Sequence, residues 1–204
     1  MMKYTRPLVG LSAAAAVCAI ALPSQAATSK TLYFDTQVAS GTSGCTPTYV
    51  LTPAQPSGGA CGGFTVGYMG TTAEKASEVY SLIAGSAKGK INATKHLTGT
   101  VYVSTTPPVG FSAGPAATPD SMGGPIGADI TFSINGVTVG KATGSDVVAP
   151  NAPLAIKVDI ALPKSLNRKA VKSVQADVEF TGGTGVSIVN DSGSAMSSIV
   201  LPLR

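Results

Sequence analysis

Between Leu154 and Leu162 every second residue is a large aliphatic one: Leu154, Ile156, Val158, Ile160 and Leu162 alternate with Ala155, Lys157, Asp159 and Ala161. Successive side chains of a strand point to opposite faces, whereas the apolar positions of an amphipathic helix recur every three or four residues. The spacing therefore predicts a strand with one buried and one wet wall. The same alternation runs through residues 129–134, with Ile130, Phe132 and Ile134 on the inner side, and through 97–104, with Leu97, Gly99, Val101 and Val103 together. It returns at 174–180, and in shorter form at 31–35, 137–141, 185–189 and 198–201. Asn135-Gly136 lies directly between two of these runs. Both central residues of a type I′ turn need positive φ, so this dipeptide predicts a two-residue hairpin.

One apolar and one polar wall per strand is the signature of antiparallel rather than parallel sheet. With turn residues between the runs, the expectation is an all-β, antiparallel two-sheet β-sandwich, jelly-roll-like, of about eight strands. Residues 71–83 are ambiguous. Thr71-Thr72-Ala73-Glu74 could cap a short helix, but Gly85 stops the segment early, and a strand from about Glu78 is preferred. Residues 105–128 hold five prolines and five glycines and are expected to form a long surface loop.

Composition narrows the class further. Only 12% of residues are charged, while 44% are hydrophobic and the net charge is +4. A disordered chain needs low hydrophobicity and high net charge. A collagen needs glycine at every third position. A nucleic-acid binder needs a basic stripe, and the basic residues here are scattered.

The first 26 residues read as an address. Lys3 and Arg6 form a basic head, residues 8–22 carry no charge, Pro23 breaks the run, and Ser24-Gln25-Ala26 supplies small residues at a cleavage site. This is the layout of a secretory signal peptide, with cleavage expected after Ala26. Residues 27–204 are then expected to form a single β-sandwich domain, secreted or held in the cell envelope, with no membrane span after cleavage. Cys45 and Cys61 are left as an even pair in an exported chain and are expected to form a disulfide.

Leu32-Tyr33-Phe34, a Cys pair around a Pro/Gly-rich stretch, Ile91-Asn92-Ala93-Thr94-Lys95-His96-Leu97-Thr98-Gly99-Thr100-Val101 and the late Ile199-Val200-Leu201-Pro202 follow one another in that order. The order resembles secreted, actinobacterial-type jelly-roll domains of the galactose-binding-like kind. The resemblance implies a two-sheet jelly roll and a binding role beside enzymes, and it carries over no catalytic residue.

The residues themselves offer little catalytic chemistry. His96 is the sole histidine, and nothing beside it in sequence would fix its tautomer, so it is expected to be dispensable. Gly110-Phe111-Ser112-Ala113-Gly114 matches a nucleophile-elbow motif by letter but lacks the following helix. Glu74 and Glu78 are read as a solvated face, and Asp177 and Glu179 as the wet side of one strand. Asn190 and Asp191 are weak candidates for a structural Ca²⁺, and no other cofactor is expected. Asn92-Ala93-Thr94 is a glycosylation sequon by letter. Tyr49, Phe64, Tyr68 and Phe111 fall in Gly/Pro-rich stretches and are the candidate ligand contacts. The expected function is a secreted, non-catalytic module that binds glycan or a cell-surface protein, and not nucleic acid. An envelope protein acting through self- or partner-protein association is the alternative, and a hydrolase a second one.

Overall fold

The computed structural model describes residues 28–38, 47–56, 77–104, 125–148, 153–182, 187–188 and 196–204. Ten strands run through them: β1 (Ser29–Val38), β2 (Pro47–Thr52), β3 (Ser77–Leu82), β4 (His96–Ser104), β5 (Pro125–Ile134), β6 (Val137–Val147), β7 (Leu154–Ala161), β8 (Val174–Gly182), β9 (Ser187–Ile188) and β10 (Ser198–Pro202). The only helical element among the described residues is one 3₁₀ turn, Lys164–Leu166. The protein is all-β, as the alternation predicts.

The strands form one continuous sheet in the order β6-β5-β8-β3-β2-β1-β10-β4-β7, with β9 added to β4. Every pairing is antiparallel except β2 with β3, where Val50 faces Ser81 and Leu51 faces Leu82 in parallel register. The expected pair of separate sheets gives way to a curled sheet because β3 and β10 carry the hydrogen bonding across both would-be gaps. β3 bridges β2 to β8, and β10 bridges β1 to β4.

The curl brings the outermost strands, β6 and β7, against each other. The inner side of β6 reads Gly140, Ala142, Gly144, and it receives Ile156 and Ile160 of β7. A Cβ at Gly140 would stand 2.7 Å from Ile160 Cγ2, and one at Gly144 2.8 Å from Ile156 Cγ1. Small residues on one strand thus let the opposite edge seat, and the sheet nearly closes into a barrel.

The core follows the alternation. Leu97, Val101 and Val103 of β4, Ile130, Phe132 and Ile134 of β5, Ile156, Val158 and Ile160 of β7 and Val174, Ala176 and Val178 of β8 are all buried in one cluster. Each large side chain removed from water there contributes about 1.5–3 kcal/mol. The Asn135-Gly136 hairpin forms as expected, with φ of 52° and 76° and Ile134 facing Val137.

Two expectations shift. β2 was not foreseen, because Pro47 and Pro53 bracket Thr48-Tyr49-Val50-Leu51-Thr52 and make the stretch read as loop. Pro47 is the first residue of its strand, where a missing N–H is tolerated. The long surface loop expected over 105–128 also ends early: β5 starts at Pro125, and Ile126 and Ala128 are buried.

The register gives the sheet two distinct ends. At one of them Val38 pairs with Pro47, Ser77 with Glu179, Gly127 with Gly182, Pro125 with Val147 and Val103 with Leu154. The other is built from the Asn135-Gly136 turn, residues 83–95 and 162–173, and the tail at Leu203 and Arg204. These are called the Val38 end and the Arg204 end.

Candidate functional site

β3 reads Ser77-Glu78-Val79-Tyr80-Ser81-Leu82, and only one phase of this strand can face the core. Tyr80 and Leu82 set that phase, and a strand cannot turn one residue without turning all. Glu78 is therefore carried inward with them, to 3% exposure, while Val79 is left 48% exposed on the outer wall. This corrects the reading of Glu78 as part of a solvated face.

Inside, Tyr80 Oη donates to Glu78 Oε2 at 2.9 Å. The Tyr49 hydroxyl, from β2, is a second donor to the same carboxyl. Among the described residues, Glu78 Oε1 has no hydrogen-bond partner. Burial pushes the Glu78 carboxyl up to about 7 from an ordinary 4.5, against the two tyrosine bonds that pull it down. Burial, and then the charge of Glu78, holds the Tyr80 phenol well above its ordinary 10, so Tyr80 stays a donor. The rings are ordered as well. Phe34 meets Tyr80 edge-on with centroids 4.9 Å apart, and Tyr49 tilts against Tyr80 at 5.2 Å. Such pairs contribute about 0.5–1.5 kcal/mol each. The cluster is an acid held neutral below pH 7 by its surroundings, at the Val38 end of the sheet.

Tyr49 is the one predicted ligand contact among the described residues, and its setting differs from the expectation. It lies in β2, half-buried, with its ring against Tyr80 rather than free in a loop. Phe64, Tyr68, Phe111, Cys45, Cys61, Asn190 and Asp191 lie outside the described residues, as do Glu74, the 110–114 motif and residues 1–26. Among the described residues no group of three His, Cys, Asp or Glu side chains is placed to hold a metal ion.

His96 has a partner that adjacent sequence does not reveal. Asp159 Oδ1 lies 2.5 Å from its Nδ1, brought there by the β4–β7 register, in which Thr98 faces Asp159 and His96 faces Ala161. The sequence separation of 63 residues hides the pair. The two side chains are 53% and 71% exposed on the outer wall, toward the Arg204 end. An exposed pair of this kind contributes about 0–1 kcal/mol.

Asn92 is buried, and its Oδ1 accepts from Thr94 Oγ1 at 2.7 Å and from Arg204 Nη2 at 3.0 Å. The side chain is a structural hub within the folded domain. Asp177 is exposed as expected, whereas Glu179 is half-buried and faces Asp129, which in turn bonds Lys141 Nζ at 2.6 Å.

No family model, no curated protein and no solved structure matches this chain.

Proposed function

We propose that the protein is an exported, non-catalytic binding module that takes a glycan, or another extracellular surface partner, at the Val38 end. The curled sheet serves as its scaffold, with facing walls in the role of the two layers of a sandwich. The observation that carries this reading is topological. Val38 and Pro47, Ser104 and Pro125, Val147 and Leu154, and Gly182 and Ser187 are successive strand termini at the Val38 end, and β3 begins there at Ser77. Tyr49 lies on β2, one of the strands that begin at this end. Binding residues are carried disproportionately by connections presented on a rigid scaffold. His96 sits toward the opposite end, on the outer wall, which supports a role outside catalysis.

The test is binding of the exported protein to a glycan array and to insoluble cell-wall polysaccharide. The expected result is retention on at least one glycan class, weakened tenfold or more by Tyr68→Ala or Phe111→Ala. Absence of retention on every glycan, together with concentration-dependent self-association in sedimentation, overturns the reading in favour of an envelope protein that works by assembly.

A further inference from the structure

Glu78 stands on a half-paired stretch of the sheet. On its β8 side, β3 is paired from Ser77 to Ser81. On its β2 side the register covers only Ser81 and Leu82, extended by the bond from Ile83 N to Leu51 O at 3.2 Å. Ser77, Glu78 and Val79 are therefore laddered on one side alone. The inward side chain of this half-paired stretch is a carboxyl with one oxygen bonded to Tyr80 and the other without a partner among the described residues.

Among the described residues no positive charge faces the carboxyl. Tyr80 and Tyr49 face it from β3 and β2, and both are neutral donors. Asp35, on β1, adds a negative charge that is felt at Tyr80. From β8, the core side presents Val178 and Phe180, while Glu179 pairs with Ser77 on the other face. From β5, Asp129 faces Glu179, and Lys141 of β6 is bonded to Asp129 on that outer wall. An uncompensated charge taken out of water is strongly disfavoured. Ionisation must then be relieved by proton uptake or by movement of the strand that carries it.

We infer that the Glu78 carboxyl is a proton-operated latch for the Val38 end: protonated, it keeps residues 77–80 seated over Tyr49, and ionised, it unseats them and bares the Tyr49 and Tyr80 rings. The switching range lies around neutrality, since burial lifts the carboxyl to about 7. For its purpose the latch rests on the binding role proposed above, because it would govern an aromatic wall at the same end, but its test needs no ligand.

Amide hydrogen exchange of the full chain, corrected for the intrinsic pH dependence of exchange, reads the latch directly. The expected result is that protection of residues 77–82 falls at least tenfold relative to residues 156–160 between pH 5.5 and 8.5, with a midpoint near 7. Glu78→Gln should flatten the profile, and Tyr80→Phe, which removes a bond to the ionised form, should move the midpoint upward. The protein has no Trp, so the change in tyrosine fluorescence and in its quenching by acrylamide follows the same transition without a tryptophan signal over it. A constant protection ratio in the wild type, or a Gln variant with the wild-type profile, overturns the inference. If Glu78→Gln does not fold, the wild-type profile and the direction of the Tyr80→Phe shift decide it. Glycan binding with no pH-dependent exchange refutes the latch alone, and pH-dependent exchange with no glycan binding refutes the binding role alone.

Discussion

The described residues at the two ends of the sheet differ in kind. At the Arg204 end the connections are stitched to one another. Ile91 N donates to Lys169 O and Arg168 N to Ile91 O, each at 2.8 Å, while Asn92 N reaches Pro202 O at 3.0 Å and Arg204 N reaches Lys90 O at 2.9 Å. Side chains complete the seam: Asn135 Oδ1 accepts from Lys172 N and Ser173 N, Asn135 Nδ2 donates to Ala170 O, and Arg204 Nη2 bridges Asn92 and Asn167. Beneath them Ile91, Leu166 and Leu203 are buried. At the Val38 end the inner wall holds a carboxyl with one oxygen unpartnered among the described residues, on a stretch, residues 77–79, laddered on one side. Among the described residues the stitching between connections lies at the Arg204 end and the buried carboxyl at the other, and local opening free energies vary across a structure.

The largest expected effect breaks the comparison through pH. The unfolded chain releases the Glu78 proton near 4.5 and the folded one near 7, so between those values the folded state binds more protons and stability falls as pH rises. Below that window the group contributes no penalty, and above it the loss is complete at about 3 kcal/mol. Urea unfolding at pH 4.5 and pH 8 should show that loss in the wild type relative to Glu78→Gln, which makes the variant the more stable protein at pH 8.

Next in size is Asn135→Ala. It removes three hydrogen bonds and puts alanine at a φ of 52°. The expected loss is about 2 kcal/mol, equal at both pH values, because the bonds removed join an amide side chain to backbone groups. A pH-dependent loss would mean that the two ends are coupled. Arg204→Ala cuts the bonds to Asn92 and Asn167 and should lower stability by about 1 kcal/mol while leaving exchange of residues 77–82 unchanged. His96→Ala is the smallest. Its partner Asp159 is exposed, so the denaturation midpoint should move by no more than about 0.5 kcal/mol, and glycan retention should persist. A hydrolytic activity abolished by that substitution would remove the non-catalytic reading, since the chain holds no second histidine.

How far the sequence reaches depends on the range of the interaction that encodes each feature. The inward set of β7, the Ile130–Phe132–Ile134 face and the turn at Asn135-Gly136 are written in neighbouring residues. A strand displays its burial every second position, and a positive-φ turn names its own residues. Those features were legible before any coordinates, and so was the all-β class. Glu78 was half legible: it occupies the phase that Tyr80 and Leu82 send inward, but that phase is visible only once the segment is known to be a strand. β2 was hidden by the prolines around it, although Thr48-Tyr49-Val50-Leu51-Thr52 is rich in β-branched and aromatic residues.

For β4, β7, β8 and residues 129–134 of β5, local alternation was enough to mark the strand and its wet side. Tertiary structure alone decided how the strands were joined: the parallel β2–β3 seam, the continuous sheet in place of two, and the closure of β6 on β7. Gly140, Ala142 and Gly144 do not read as a core face, because they become one only when Ile156 and Ile160 arrive from the far edge. The Asp159 carboxylate beside His96 and the Tyr49 hydroxyl on Glu78 belong to the same class. Each is a contact between strands brought together by register, and register between distant segments is set by the whole packed sheet rather than by any one of them.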